Sequence, residues 1–277
     1  MKFCGKCWIT EDNKFQFIEQ LNKPAKYFDL KQNGDNLYEI LHSELYVHLA
    51  FPQLSRKMQN YIAERGDIEI IRCCTPSWKV KFYEGKMPEG ELRDAWKALP
   101  HTKNFSPEDE IWSICHNCTN IAEEYFHVEN VHSIWELIDG DGKFVFPDYS
   151  GLKVTVQDCW RAKDRPKEQA AVRSLLSKMN IEYVENEKNH LETDFCGATL
   201  YMTELPRNPK LAPKHYARNI EGLFLPHTEK EQKRIMEEYC SRYKTDTVVC
   251  YCHYCLDGLK MGNVDGRHIA QMLFGED

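Results

Sequence analysis

Paired cysteines are the feature of this 277-residue sequence that most constrains its fold. The chain contains 12 cysteines. Eight of them form three Cys-x-x-Cys pairs and one adjacent pair, at Cys4/Cys7, Cys73/Cys74, Cys115/Cys118 and Cys252/Cys255. Clustered thiols in a reducing compartment more often bind metal or carry out redox chemistry than form disulfides. The spacing therefore predicts a fold that brings distant cysteine pairs together.

Composition excludes several classes of protein. Charged residues make up 29% and hydrophobic residues 42% of the chain, which is typical of a globular protein. The net charge is −7, and without a Lys/Arg run we expect no nucleic-acid partner. No apolar stretch approaches the roughly 18 residues of a membrane span. Residues 1–7 lack the apolar core of a signal peptide, so the sequence predicts a cytoplasmic protein.

The first half of the chain has the pattern of alternating strands and helices. Residues Tyr46–Phe51 are predicted to form a strand, and Pro52 stands where a helix can begin. A strand at Ile68–Ile71 is predicted to follow the helix. The apolar face of that helix comprises Leu54, Met58, Tyr61 and Ile62.

The second half repeats this plan. Lys153–Gln157 is predicted to form a strand, Pro166 opens a helix, and a further strand begins at Ile181-Glu182. The apolar face of this helix comprises Val172, Leu175, Leu176 and Met179. Each half then ends a short apolar run with Cys-His-x-Cys, after Ile111–Ile114 and after Thr247–Tyr251. Two such matches in the same order indicate a duplication.

The predicted fold is therefore α/β, with two pseudo-repeated strand-helix-strand halves, mainly parallel sheets and metal sites at the C-terminal ends of strands. Turn-forming residues at 146–151 favour a boundary between domains 1–147 and 148–277. Each half offers four thiols at predicted strand ends, enough for a tetrahedral zinc ion or a [4Fe–4S] cluster. The first set is Cys73, Cys74, Cys115 and Cys118, and the second is Cys159, Cys196, Cys252 and Cys255.

These residues also carry a family resemblance. A cysteine after a strand, a pair after a strand-helix-strand unit and then a Cys-x-x-Cys resembles the cysteine-rich domain named for its Cys-Cys-Gly motif. That domain occurs twice within one polypeptide of heterodisulfide reductase, and also in iron–sulfur subunits of glycolate and lactate oxidases. The resemblance covers residues 46–255, and 36 residues separate Cys159 from Cys196. It implies that both cysteine sets bind iron–sulfur clusters, of cubane or noncubane [4Fe–4S] type.

Two positions depart from the family pattern. Ala50 stands where the repeat calls for a cysteine equivalent to Cys159, and Phe195 stands where the first cysteine of the second pair belongs. A noncubane cluster resembling that of the reductase would need five thiolates. Additional ligands could come from Cys4, Cys7 or Cys250.

Other residues have a structural interpretation beside the functional one. Cys240 shares a helical face with Ile235, Met236 and Tyr239, so core packing is favoured. His116 and His253, inside the Cys-His-x-Cys motifs, could donate to a cluster or only make local hydrogen bonds. The basic, Pro-rich segment 206–215 could cover the second site or simply connect two elements.

The resemblance implies a redox protein that receives electrons from a ferredoxin-like protein or a flavoprotein subunit and reduces a disulfide or related thiol compound. One alternative is an electron-relay subunit of a flavin-dependent 2-hydroxy acid oxidase-type complex. A structural zinc protein is the other, since four-cysteine sets suit zinc equally well.

Overall fold

The computed structural model describes residues 2–4, 52–65, 69–73, 102–103, 107–114, 116–124, 127–195, 197, 214–215 and 227–275. These residues form two compact units. The first contains the described residues up to Ser113 together with 127–131, and the second contains 114–124 and 132–275. The domain boundary at residues 147 and 148 stays a prediction.

The first sheet has five strands, β1 Lys2–Cys4, β2 Glu69–Cys73, β3 Thr102–Lys103, β4 Glu110–Ser113 and β5 Asn130–Ser133. Their order in the sheet is β3-β2-β1-β4-β5. Strand β1 pairs in parallel with both β2 and β4, and β2 pairs in parallel with β3. The strand predicted at Tyr46–Phe51 lies outside the described residues.

Helix α1 spans Pro52–Arg65 and confirms the predicted helix start at Pro52. Leu54, Met58 and Ile62 are buried along one face, because their spacing of four residues returns to the same side of the helix. Proline suits this first position because its missing N–H would have no partner within the helix.

The strands of the second sheet are β6 Lys153–Gln157, β7 Glu182–Glu185, β8 Thr247–Cys250 and β9 Asp265–His268. This sheet is parallel throughout, in the order β7-β6-β8-β9. Helix α4 (Pro166–Lys178) crosses from β6 to β7, and α5 (Glu229–Cys240) precedes β8. The predictions of a strand at Lys153–Gln157 and of a helix opening at Pro166 are confirmed.

Two stretches have the same succession of element lengths. Strand β4, helix α2 (His116–Glu124), strand β5 and helix α3 (Ile134–Asp139) contain 4, 9, 4 and 6 residues. Strand β8, helix α6 (His253–Met261), strand β9 and helix α7 (Ile269–Phe274) also contain 4, 9, 4 and 6 residues. Helices α3 and α7 both begin in a capping box, formed by Ser133 with Glu136 and by His268 with Gln271.

The core of the second unit lies on both faces of its sheet. All four residues of β8 are buried, as expected for a parallel strand covered on both faces by helices. Val172, Leu175 and Leu176 of α4 and its C-cap residue Met179 are all buried in this core, which confirms the predicted apolar face. The structure thus confirms a mixed α/β fold with mainly parallel sheets. Within the described residues, every helix is too short or too polar to cross a membrane.

Replacing Leu176 by alanine should lower the free energy of unfolding by about 3 kcal/mol, because its side chain is fully buried and truncation leaves a cavity. Chemical denaturation monitored by circular dichroism measures this change. The matched control is Leu191→Ala, since Leu191 is 65% exposed. That control should change the free energy by less than about 0.5 kcal/mol. Equal effects of the two substitutions would contradict the packing described for α4.

Candidate metal centre

The site is built where β6 and β8 end side by side. The two strands are parallel neighbours, with Val156 opposite Val249 and Gln157 opposite Cys250. The chain therefore leaves both strands at the same edge and at the same level. Two residues beyond Gln157 comes Cys159, and two residues beyond Cys250 comes Cys252. Parallel pairing alone thus brings two predicted ligands to one edge of the sheet.

Helix α6 begins directly at this edge. Cys252 is the N-cap residue of α6, with the extended backbone (φ −142°, ψ 128°) that a helix start requires. Cys255 follows in the first turn and is fully buried, and Cys252 is 6% exposed. The N-terminus of a helix favours negative charge, so this position stabilises thiolates.

A third group reaches the two thiols from α2. A ring nitrogen of His116 and the sulfurs of Cys159 and Cys252 all lie within 4.8 Å of one another. His116 and Cys159 are buried, 3% and 0% exposed. A tetrahedral metal ion with bonds of about 2.3 Å to sulfur and about 2 Å to nitrogen holds its ligand atoms about 4 Å apart. The donor set therefore fits a metal.

Helix α2 is oriented by one polar face that meets the start of α4. His116, Asn120 and Glu123 lie on one side of α2, at positions i, i+4 and i+7. Arg165 donates to Glu123 at 2.6 and 2.8 Å and to Asn120 at 2.9 Å. His116 Nε2 lies 3.0 Å from Glu168 Oε1. These contacts fix the direction in which His116 enters the site.

Burial disfavours the charged forms of both His116 and Glu168, but each stabilises the charged form of the other. Burial alone lowers the pKa of His116, yet the charges of Glu168 and Cys252 outweigh it and raise that pKa to about 10. Burial likewise opposes ionisation of Glu168, but His116, Arg165 and the hydroxyl of Ser133 hold the pKa of Glu168 below its usual value. Ser133 donates to the same carboxylate oxygen at 2.8 Å.

The segment around Phe195 contacts both cysteine-bearing segments, the loop at Cys159 and the start of α6. The backbone N–H of Trp160, next to Cys159, donates to the backbone carbonyl of Phe195 at 2.9 Å. Gly197 is in the left-handed region (φ +48°), and a Cβ there would lie 1.7 Å from the Tyr254 carbonyl oxygen on α6. Only glycine allows this approach. Cys196 lies outside the described residues, but its two chain neighbours thus contact the Cys159 loop and the first turn of α6.

Arg161 bridges the same two segments. Its guanidinium lies 4.8 Å from the ring centroid of Trp160 and 4.8 Å from that of Tyr254. Arg161 is only 3% exposed, so both cation–π contacts are made away from solvent, where they are strongest. Trp160 is buried beside Cys159, as expected if it shields the site from water.

Asp158 links the residues that precede the two cysteines. Its carboxylate accepts hydrogen bonds from Tyr251 Oη at 2.7 Å, from the Arg173 guanidinium at 2.7 and 2.9 Å, and from the backbone N–H of His190 at 2.8 Å. Burial opposes ionisation of Asp158, but Arg173 outweighs it and holds the pKa below its usual value. Because Asp158 adjoins Cys159 and Tyr251 adjoins Cys252, this carboxylate fixes both exits from the sheet.

A second cluster of possible metal ligands, Asp158, Glu185 and His190, is explained by this ion pair. Arg173 donates to Glu185 at 2.7 and 2.8 Å as well as to Asp158. Both carboxylates therefore already neutralise a cation in the described structure. We interpret this group as a structural ion-pair network.

Several other predicted ligands have no described side chain. The backbones of Cys4 and Cys73 end β1 and β2, and Cys118 lies within α2. Cys7, Cys74, Cys115 and Cys196 lie outside the described residues. The first cysteine set therefore stays a prediction.

Two further cysteines are buried in the second unit. Cys250 donates its thiol to the Cys252 carbonyl at 3.6 Å, and burial raises the pKa of Cys250 above its usual value. Its ligand role stays a prediction. Cys240 packs on the buried face of α5 with Met236 and Tyr239, as predicted, and burial raises its pKa to about 12.

The segment 206–215 is described only at its end. The backbone N–H groups of Lys214 and His215 donate to Glu124 at 2.8 and 2.7 Å. The His215 ring lies between Glu124 and Asp164, at 3.0 and 3.2 Å. These contacts anchor the end of the segment to α2 and to the chain just before α4. Whether the rest covers the second site stays a prediction.

Sequence reasoning missed the supporting residues Glu168, Asp158 and Arg173. Asp158 directly precedes a predicted ligand, which is a weak signal. Glu168 and Arg173 lie on a helix among ordinary charged residues, so no local pattern distinguishes them.

Comparison with known protein families, with curated protein sequences and with solved structures finds no match to this chain.

Replacing Gly197 by alanine should prevent the close contact with α6 and reduce both thermal stability and metal retention, since the added Cβ would overlap backbone. Thermal unfolding and metal analysis of the purified variant measure these effects. Gly142→Ala is the control, because a Cβ there meets nothing within 4 Å. If Gly197→Ala retained wild-type metal content and unfolding temperature, the described contact would be wrong.

Replacing Asp158 by asparagine should cost about 3 kcal/mol of unfolding free energy, because a buried arginine loses half of its neutralisation. The control is Glu182→Gln, which removes the exposed Lys153–Glu182 pair and should cost less than about 1 kcal/mol. The Asp158 contribution is present above about pH 4, the usual pKa of an aspartate in an unfolded chain, and is lost as pH falls through the lowered folded pKa. Urea titrations of the metal-free proteins at pH 7 and pH 3 should show the difference from wild type shrinking at the lower pH. A constant difference would contradict the role of the charge.

Proposed function

We propose that this chain is an iron–sulfur redox protein whose two cysteine sets each hold a cluster. The observation that carries the proposal is the convergence of the Cys159 and Cys252 sulfurs with an imidazole nitrogen within 4.8 Å. Cys255 is buried in the first turn of the helix that Cys252 caps. Buried thiolates are the usual ligands of iron–sulfur clusters, which take up and release single electrons. Clusters of [4Fe–4S] type, cubane or noncubane, are what the family resemblance implies.

The equal element lengths support a duplication behind the two sets. Strands β2, β1, β4 and β5 are neighbours in the same order as β7, β6, β8 and β9. Strand β1 thus takes the place in the first sheet that β6 takes in the second. This supports Cys4 or Cys7, rather than a residue near Ala50, as the counterpart of Cys159. With either one, the first set would reach five thiols.

The burial of the second centre supports a division of labour. Cys159 and Cys255 are fully buried and Cys252 almost so, which leaves little room for a substrate to contact them directly. The residues around this centre hold the cysteines, exclude water and fix their hydrogen bonds, as electron transfer requires. We assign electron transfer to the second set and the chemistry to the first, which retains the adjacent pair Cys73 and Cys74.

The proposed reaction is the reduction of a disulfide or a related thiol compound. The sulfur–sulfur bond breaks as the disulfide takes up two electrons and two protons, which yields two thiols. The electrons come from a ferredoxin-like protein or a flavoprotein subunit. In the relay alternative, suggested by the oxidase subunits, the same electrons pass through the chain to or from a flavoprotein and no substrate is bound.

One observation favours zinc as a second candidate. Three ligand atoms within 4.8 Å of one another match the spacing of ligands on a single metal ion, and a closed, buried site is typical of structural zinc. Such a site would stabilise the fold without redox chemistry.

Anaerobic purification followed by metal analysis and absorption spectroscopy tests the proposal. The expected result is about four irons per occupied cluster and broad charge-transfer absorption. Cys252→Ala and Cys159→Ala should each lower the iron content and the absorption, since each removes a ligand. Cys240→Ala is the matched control, a buried thiol on α5 outside the cluster of ligand atoms. A colourless protein that contains zinc would overturn the iron–sulfur proposal and favour the second candidate.

A further inference from the structure

His116 is a possible metal ligand that belongs to neither of the two cysteine sets. Although it belongs to the first Cys-His-x-Cys motif, His116 lies in the second unit and within 4.8 Å of two thiols of the second set, Cys159 and Cys252. It is the first residue of α2, and its imidazole is almost fully buried. Such a histidine needs a specific partner for each ring nitrogen.

One ring nitrogen of His116 makes a hydrogen bond with Glu168. Nε2 lies 3.0 Å from Glu168 Oε1, which also accepts from Ser133 Oγ at 2.8 Å. A carboxylate that accepts a hydroxyl proton at this oxygen leaves Nε2 as the donor of the His116–Glu168 bond. A metal would displace the remaining proton from Nδ1 and bind to the lone pair of that nitrogen.

Two thiols of the second set lie close to the same ring. A ring nitrogen of His116 is within 4.8 Å of both the Cys159 and Cys252 sulfurs. The ring is held further by Tyr251, whose centroid lies 5.5 Å away at an interplanar angle of 86°. A histidine that binds metal through one nitrogen and donates from the other to a carboxylate is a recurring arrangement in metal sites.

We propose that His116 is a metal ligand of the second centre, together with Cys159 and Cys252, and that Glu168 orients it. This inference rests on the proposed metal centre but not on the metal being iron. It assigns to the second centre a mixed sulfur and nitrogen ligand shell. Glu168 is a positioning residue, because it contacts the ligand and not the metal.

Pulsed electron paramagnetic resonance on the reduced, full-length protein tests the ligand directly. Wild-type protein labelled with ¹⁵N-histidine should show strong coupling of the paramagnetic centre to a labelled nitrogen. His116→Asn should remove that coupling. The control is His127→Asn, at an exposed position with φ 56° that asparagine also tolerates, and it should retain the coupling. Wild-type protein without this coupling would overturn the proposal even if His116→Asn fails to fold.

Glu168→Gln separates positioning from ligation. This variant should retain the nitrogen coupling, because the ring stays in place. It should also lose metal to a competing chelator on the order of 10 to 100 times more readily than wild type, since the hydrogen bond that raises the basicity of the ligand is weakened. Unchanged retention would overturn the role of Glu168.

The possible outcomes distinguish the inference from the proposed function. A cluster without histidine nitrogen coupling would overturn the ligand role of His116 and leave the iron–sulfur proposal standing. A zinc protein whose X-ray absorption shows a mixed sulfur and nitrogen shell, lost in His116→Asn, would support the inference and overturn iron. A chain that binds neither metal would overturn both.

Discussion

The buried carboxylate of Asp158 is the interaction on which the second unit depends. It receives two hydrogen bonds from Arg173, one from Tyr251 and one from the backbone of His190. The cost of burying the charge is offset by these bonds, because Arg173 neutralises it and polar donors replace water. Since Asp158 and Tyr251 each precede a cysteine, a single charge–hydrogen-bond network fixes both strand exits. The distance between the two sulfurs is therefore set before any metal binds.

Close packing of the backbone at Gly197 also holds the cysteine-bearing segments in place. The contact of Gly197 with α6 is possible only without a side chain at that position. It places the residues on either side of Cys196 against the segments that carry Cys159 and Cys252. This gives a physical reason for a glycine directly after the cysteine, whichever metal is bound.

Much of the local structure could be predicted from the sequence. The strand at Lys153–Gln157, the helices beginning at Pro52 and Pro166, and the core role of Cys240 all follow from short-range periodicity and from proline at a first helical turn. The parallel sheets follow from the alternation of strands and helices. The capping boxes that open α3 and α7 have sequence signatures, Ser133 with Glu136 and His268 with Gln271, although the latter uses a histidine in place of the usual hydroxyl.

The sequence by itself determined which cysteines could bind metal, because cysteine spacing at strand ends is a local property of the chain. The tertiary structure alone decided that His116 meets Cys159 and Cys252, which follow it in the chain by 43 and 136 positions. It likewise decided that Glu168 and Asp158 support those ligands. Such partners are chosen by the hydrogen bonds between α2 and the start of α4 and by the register of β6 and β8. No spacing rule within the chain encodes contacts of this kind, because they form only when distant elements fold together.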